Sequence, residues 1–427
     1  MALGGGIFTS QNKVLPGAYI NFVSVAYASS MLNDRGVATI PMELDWGEEG
    51  KIITITKEDA TKNAQKIFGY QYTDEKLSAI RDVFKNANIL YAYRLNSGGV
   101  KASNTYAEAL YGGVRGNDIS IAIQTNVDNT DKYDVKTYLG TTLVDSQTVS
   151  TAAELAANDF VKFKADAELS VVANTSLQGG TNGEVTGTSH SNYLIAIEPY
   201  SYNCMGVVTD DATTKALYSA FTKRMRDEVG AKFQCVLYNE ASDYEGIINV
   251  KNTKDVIPWL VGAEAGCAIN KSCTNKVYDG EAVVEANYTQ AQLTQCIEDG
   301  ELVFHKVGDE IRILTDINSL KTVTDDKNEM FKSNQSIRVM DQIANDIAKL
   351  FNNKYLGNIQ NNNAGRISLW SDIVKHHKEL NAIGAIVDFK DADVIVSQGN
   401  DKKSVVVSDV VTIVNSMEQL YMTVTVQ

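Results

Sequence analysis

Four histidines serve a chain of 427 residues, which is few for an enzyme of this size working by acid-base or metal chemistry. His190 and His305 have no evident partner, and His376-His377 are adjacent. Consecutive helical residues point in different directions, so this pair is expected not to chelate together, with His377 in the core and His376 solvated. The five cysteines, Cys204, Cys235, Cys267, Cys273 and Cys296, form no Cys-x-x-Cys pair and have no histidine at zinc-ligand spacing. They read as structural, reduced thiols, with no metal site implied. Basic residues nowhere cluster, and 39 Lys and Arg against 53 Asp and Glu give a net charge of -14. That balance excludes nucleic acid as a partner, because binding it needs a concentrated basic surface. Long apolar runs are also missing. None approaches the roughly 20 residues of a membrane span, and the start of the chain lacks the charged and apolar regions of a signal peptide. The expectation is a soluble protein made in a cytoplasm, without membrane insertion.

Catalytic motifs are missing as well. Gly187-Thr188-Ser189-His190 superficially matches a serine-hydrolase turn but lacks the Gly-x-Ser-x-Gly elbow and is expected to have no following helix. Gly112-Gly113-Val114-Arg115-Gly116 has no Gly-Lys-Ser/Thr ending and leads into a strand, so no helix N-terminus is there to hold a phosphate. Asp210-Asp211 and Asp325-Asp326 sit in polar loops and read as solvated or helix-start residues. No catalytic residue and no cofactor are expected.

What is present is ordinary globular composition, 44% hydrophobic and 22% charged, in a length that allows roughly three domains. Val37 to Trp46 alternates as a strand. Thr56 and Asp59 form an acidic capping box ahead of a helix ending at Gly69, and Thr73 is expected to cap a second helix carrying Leu77, Ile80, Val83 and Phe84. Between about Ser97 and Gly183 the pattern changes to short alternating strands such as 119–123 and 133–138, the signature of a β-sandwich or barrel. From Tyr193 strands and helices alternate again, starting with an expected strand at 193–197, which argues for an α/β layer with a largely parallel sheet. Near the end, an amphipathic helix carries Met340, Ile343, Ile347 and Leu350 on one face. A helix around Trp370 and four strands follow, the last from Leu420 to Val426.

That last stretch is the most telling. Leu420, Met422, Val424 and Val426 share one face of a strand, and Tyr421, Thr423 and Thr425 the other. An apolar strand with free backbone groups invites pairing with another sheet edge. At the other end, Gly4-Gly5-Gly6 leads into Pro16-Gly17-Ala18-Tyr19-Ile20-Asn21-Phe22-Val23, which reads as a turn and an extended segment. Pairing within the same subunit and pairing with a neighbour both satisfy the pattern.

Particular residues decide between them. Pro16-Gly17-Ala18-Tyr19-Ile20, Asp34-Arg35-Gly36-Val37, Leu44-Asp45-Trp46-Gly47, Gly113-Val114-Arg115-Gly116-Asn117-Asp118-Ile119, Leu177 to Gly183, Asp316 to Leu320, Arg338-Val339-Met340-Asp341 and Leu420 to Val424 occur in this order along the chain. Together they make the chain resemble the contractile tail sheath proteins of bacteriophages and phage-tail-like bacteriocins, notably the short sheaths of Gram-positive hosts. Gly112-Gly113 stands where many relatives carry a proline-glycine turn.

The resemblance implies an α/β multidomain fold. Its parts are an N-terminal arm (1–27), an N-terminal α/β domain (28–97), an inserted β-sandwich (98–184), a subtilisin-like α/β domain without a catalytic triad (185–318), a C-terminal α/β domain (319–414) and a C-terminal arm (415–427). It implies a non-enzymatic subunit of helically stacked hexameric rings around a tail tube, with baseplate and tail terminator proteins as further partners. Contraction then drives the tube through a cell envelope. The arms, with Tyr19, Ile20, Phe22, Leu420, Tyr421, Met422, Val424 and Val426, are expected to exchange strands between subunits. The helix carrying Arg338, Asp341, Asp346 and Lys349 is expected either to face the tube or to lie buried at a domain interface. The particle is expected to be a phage tail or a DNA-free bacteriocin, assembled in the host bacterial cytoplasm.

Overall fold

The structure, a computed structural model, describes residues 32–426. The chain opens with β1 (Val37–Met42), β2 (Ile53–Thr56), α1 (Lys57–Lys62), α2 (Ala64–Phe68), α3 (Ser78–Phe84) and β3 (Ile89–Arg94). The Thr56–Asp59 capping box is present, and α2 stops at Gly69 in the left-handed conformation with φ 81°. Asp74, not Thr73, caps the turn that leads into α3, its carboxylate accepting from the Lys76 N–H.

Residues 97–183 then form the sandwich. Its strands are β4 (Ala107–Ala109), β5 (Ile119–Thr125), β6 (Tyr133–Leu139), β7 (Thr142–Val149), β8 (Val161–Phe163) and β9 (Val172–Ser176). They give a four-stranded antiparallel sheet in the order β7-β6-β5-β9 and the pair β4-β8. Alternation along the strands places Ile119, Ile121, Ile123, Val135 and Leu139 inside, joined by Phe160 and by Trp46, the latter contributed from outside the sandwich. The chain enters and leaves through one narrow neck. A Cβ on Gly99 would lie 2.1 Å from the Thr181 carbonyl, and one on Gly183 1.9 Å from the Ser97 carbonyl. The two crossing segments touch backbone to backbone, which only glycine permits.

The chain next supplies α4 (Gly187–Ile197), β10 (Cys204–Gly206), α5 (Ala212–Arg224), β11 (Gln234–Tyr238), β12 (Ile247–Val250), α6 (Ile257–Gly266), α7 (Gln290–Glu298), β13 (Glu301–Leu302) and the hairpin β14 (Phe304–Val307) and β15 (Glu310–Ile313). The stretch 193–197, expected as a strand, is the end of α4. Residues 28–97 and 185–318, expected as two units, contribute to one seven-stranded sheet in the order β13-β12-β11-β10-β1-β3-β2. All its pairings are parallel except β2 with β3. The join is β1 beside β10, Ala38 opposite Cys204. Two apolar cores cover the two faces. Ala38, Ile40, Val236 and Ile248 face α3 and α6, while Tyr93, Met205, Cys235 and Ile247 face α4 and α5. Burial on both faces explains the nearly unbroken apolar runs of these strands. Helices α3 and α6 meet at backbone distance, since a Cβ on Gly262 would stand 2.3 Å from the Val83 carbonyl.

The remainder is α8 (Asn334–Leu350), α9 (Asn363–Ala382), β16 (Ile386–Val387), β17 (Val394–Gln398), β18 (Val405–Asp409) and β19 (Thr412–Ile413). These strands make two separate two-stranded antiparallel pairs, β17-β18 and β16-β19. Two small cores hold the layer, one around Val339, Leu380 and Ile386 and one around Tyr355, Ile373 and Val394.

Candidate functional site

The catalytic false leads resolve first. Gly187-Thr188-Ser189-His190 opens α4, so a helix does follow it, contrary to expectation. Ser189 is spent on the capping box of that helix, exchanging hydrogen bonds with Thr186. His190 is buried, and its Nδ1 meets the Tyr218 hydroxyl at 3.0 Å rather than any serine. Burial holds its pKa below the ordinary value. No nucleophile, base and orienting acid come together here.

The charged helix α8 is the larger surprise. Arg338 is 2% exposed, and Asp341 and Asp346 are also buried. These three side chains lie inside the subunit, where α8 meets other elements of the chain. Only Lys349 is exposed, its ammonium donating to Asn33 Oδ1 at 2.5 Å. The polar stripe of α8 faces inward because its partners are polar. Arg338 pairs with Glu264 from α6 and with Asp316 at 2.5 Å, and donates to the Lys271 carbonyl at 3.1 Å. Burial and the charge of Asp316 push the Glu264 carboxyl well up. Burial is the largest influence on Asp316 too and pushes it up, but the Arg338 charge together with hydrogen bonds from Glu264, Arg338 and the Cys273 N–H outweighs it and keeps this carboxyl low. Around one guanidinium the two carboxyls are thus driven in opposite directions, Glu264 toward its neutral form and Asp316 toward its charged form. Glu264, Cys273 and Asp316 come close enough to hold a metal ion, but the guanidinium already sits against both carboxylates.

One turn further along α8, Asp341 receives both terminal nitrogens of Arg226, at 2.6 and 2.8 Å. Arg226 reaches it from a π-helical turn, Met225–Val229, that widens the end of α5 before Gly230. A bidentate pair fixes orientation as well as distance. Another turn on, Asp346 accepts from Gln342 Nε2 and from the side chain of Asn33. It also contacts Nε2 of His376 at 3.0 Å. Both adjacent histidines are buried, His376 as well as His377, contrary to expectation. Their Nδ1 atoms meet at 3.0 Å, and His377 Nε2 lies 2.7 Å from Asp409. Each Nε2 faces a carboxylate and the two Nδ1 atoms face each other, so the pair ties α8, α9 and β18 together through Asp346 and Asp409.

The last described stretch behaves differently. Ser416 N–H donates to Gln335 on α8 at 2.9 Å, and Glu418 accepts from the Thr274 and Thr315 hydroxyls at 2.7 and 2.9 Å. Beyond these anchors the alternating segment pairs with no strand among the described residues. Leu420 is 84% exposed and Val426 88%, and Tyr421, Met422 and Val424 are exposed with them. Tyr19, Ile20 and Phe22 lie outside the described residues. No helix among the described residues is long and apolar enough to cross a membrane.

Comparison with known proteins accounts for the whole chain. Residues 35–95 match the tail sheath protein Gp18 domain III N-terminal region, 97–182 the phage tail sheath protein beta-sandwich domain, 183–319 its central domain and 326–427 the phage tail sheath C-terminal domain. Phage-like element PBSX protein XkdK of Bacillus subtilis is 32% identical, with 99% of this chain and 100% of that protein covered. The crystal structure of the sheath tail protein from Desulfitobacterium hafniense superimposes with a TM-score of 0.83 at 36% identity, covering 95% of this chain and 99% of that one. The helical sheath of the anti-feeding prophage in its contracted state shares the fold at 12% identity, with a TM-score of 0.55 over 97% of this chain and 99% of that one. The chain belongs to the phage tail sheath proteins, a family of structural proteins and not of enzymes.

Proposed function

We propose that this chain is the subunit of a contractile tail sheath that stacks as hexameric rings around a tail tube and repacks to drive the tube through a target envelope. Neighbouring subunits are linked by strand exchange through both arms. One observation carries the reading: residues 420–426 alternate as a strand yet are exposed and unpaired, while β17-β18 and β16-β19 are two-stranded sheets with open edges. Exposed edges and an unpaired apolar strand complement each other by β-augmentation. The Ser416 and Glu418 anchors fix where the segment leaves the subunit. The seven-stranded sheet with helices on both faces supports the subtilisin-like description of the central domain.

Contraction needs two packings of nearly rigid bodies joined by links that survive the change. The buried ion pairs of α8 supply the rigidity, and the strand links supply the continuity. Tube, baseplate and terminator proteins are the partners, and the site of action is the tail of a phage or phage-like particle. Likeness to a phage-like element protein keeps a DNA-free, bacteriocin-type particle as the second reading.

The test is negative-stain electron microscopy of the purified chain with and without its tube protein. Striated tubes are expected for the wild type. The pair Met422→Asp and Val424→Asp, or removal of residues 416–427, is expected to leave a folded monomer that forms none. Contractile tubes from either variant would refute exchange through this segment, and absence of tubes from the wild type with its tube protein would refute the sheath reading.

A further inference from the structure

We infer that Cys267 and Cys273 are a reversible redox site, oxidised by hydroperoxides to an intrachain disulfide across the loop that follows α6. Among the five thiols, this pair alone lies six positions apart on one short loop, where each side chain influences the other's titration, Cys267 Sγ donating to the Lys271 carbonyl at 3.5 Å and Cys273 Sγ to the Ala263 carbonyl at 3.8 Å. Cys204, Cys235, Cys273 and Cys296 are buried, whereas Cys267 is partly accessible. Both members of the pair line one surface cavity of about 440 Å³, together with Lys271 and Thr274. An oxidant therefore reaches Cys267, and the second thiol lines the same cavity.

The electrostatics favour reaction at Cys267. The Cys273 side chain, with the nearby guanidinium groups of Arg338 and Arg35, pulls the Cys267 thiol down to about 7 against the opposing effect of burial. The influence of Cys267, together with burial, pushes Cys273 well up. Arg35 is held in place by its own donations to the carbonyls of Cys267 and Glu264, each at 2.9 Å. A lowered, accessible thiolate beside a second thiol is the arrangement of a redox-active pair.

The Cys267 thiolate attacks one oxygen of hydrogen peroxide and breaks the O–O bond, giving a sulfenic acid and hydroxide, which takes up a proton to become water. The Cys273 sulfur then attacks the sulfenic sulfur, forming the S–S bond and expelling the hydroxyl as a second water. Two thiols lose two electrons and two protons, and the peroxide is reduced to two waters. A bridge here would fasten the loop whose Thr274 hydroxyl holds Glu418, at the root of the exposed segment.

Lys271 lies between the two cysteines, so trypsin places them on separate peptides, 255–271 and 272–276. The full chain is treated with increasing hydrogen peroxide, alkylated without reduction, digested and analysed by mass spectrometry. The expected product is the linked pair of these peptides, with free thiols falling from five to three per chain and returning to five with dithiothreitol. Cys273→Ser is expected to stop at the sulfenic acid or beyond on Cys267, and Cys267→Ser to form no bridge. Circular dichroism of both variants confirms that they fold. Peroxide that leaves all five thiols free, or that links other cysteines while 255–271 and 272–276 stay separate, would overturn the assignment. So would oxidation of wild-type Cys267 to sulfinic acid without a bridge.

Discussion

Replacing Arg338 tests whether α8 is a buried seam or an exposed binding face, because the two give opposite results. In Arg338→Met the side chain keeps its bulk and loses the charge that balances Asp316. Removing one partner of a buried pair costs about 3–5 kcal/mol, since the other charge stays buried. Here the lower end applies. Asp316 keeps three donors, the Cys273 N–H and Asn334 Nδ2 at 2.9 Å and the Ser272 hydroxyl at 3.3 Å. The Glu264 carboxyl is already pushed well up by burial and so favours its neutral form once the guanidinium is gone. The expected loss is about 3 kcal/mol, while Arg338→Glu, which sets a third acid beside Glu264 and Asp316, should prevent folding of the interface. Lys349→Glu, on the exposed end of the same helix, should change stability by less than about 0.5 kcal/mol. Urea unfolding followed by tryptophan fluorescence measures this, with Trp370 on α9 and Trp259 on α6 reporting the two sides of the seam. An Arg338→Glu subunit as stable as Lys349→Glu would refute the reasoning and restore the exposed face.

Four further outcomes are expected. Gly262→Ala, whose methyl would meet the Val83 carbonyl at 2.3 Å, should force α3 and α6 apart and cost at least about 2 kcal/mol in thermal or urea unfolding, whereas a neutral result would mean the helices shift freely. His377→Ala strips Asp409 and His376 of their shared partner and should lower stability by about 3 kcal/mol. His305→Ala, on the hairpin β14-β15, should be close to neutral in the same melts. Burial raises Asp82 to about 6, opposed by the Glu281 N–H it accepts. A raised carboxyl contributes stability that is complete below its unfolded value and is lost as pH climbs through about 6. Asp82→Asn should therefore remove about 2 kcal/mol of the wild-type decline between pH 4 and pH 6, and an unchanged pH profile would show that Asp82 is not shifted.

Local signals carried far along this chain. Alternation at 119–123 and 133–138 became β5 and β6, and the Thr56–Asp59 box capped a helix, because both depend on neighbours within a few residues. Periodicity failed at 193–197, where an apolar run closes a helix packed on the sheet, since a short buried run looks alike in a helix and a strand. It misled at α8 for a different reason. A stripe of Arg338, Asp341 and Asp346 looks solvent-facing unless Glu264, Arg226 and His376 are known to face it, and those partners come from 30 to 115 positions away. The adjacent histidines show the same limit, for their rings converge on each other only because Asp346 and Asp409 stand at either end.

By itself, then, the sequence determined the element types, the class of fold, the lack of a catalytic constellation and the alternating segment 420–426, because each is written in local spacing and residue chemistry. Tertiary structure alone decided that residues 37–94 and 204–302 share one sheet, that the charge of α8 is buried, and that Cys267 and Cys273 line one cavity. Strand partnering, charge compensation and thiol placement are relations between distant positions, and no short stretch of chain contains them.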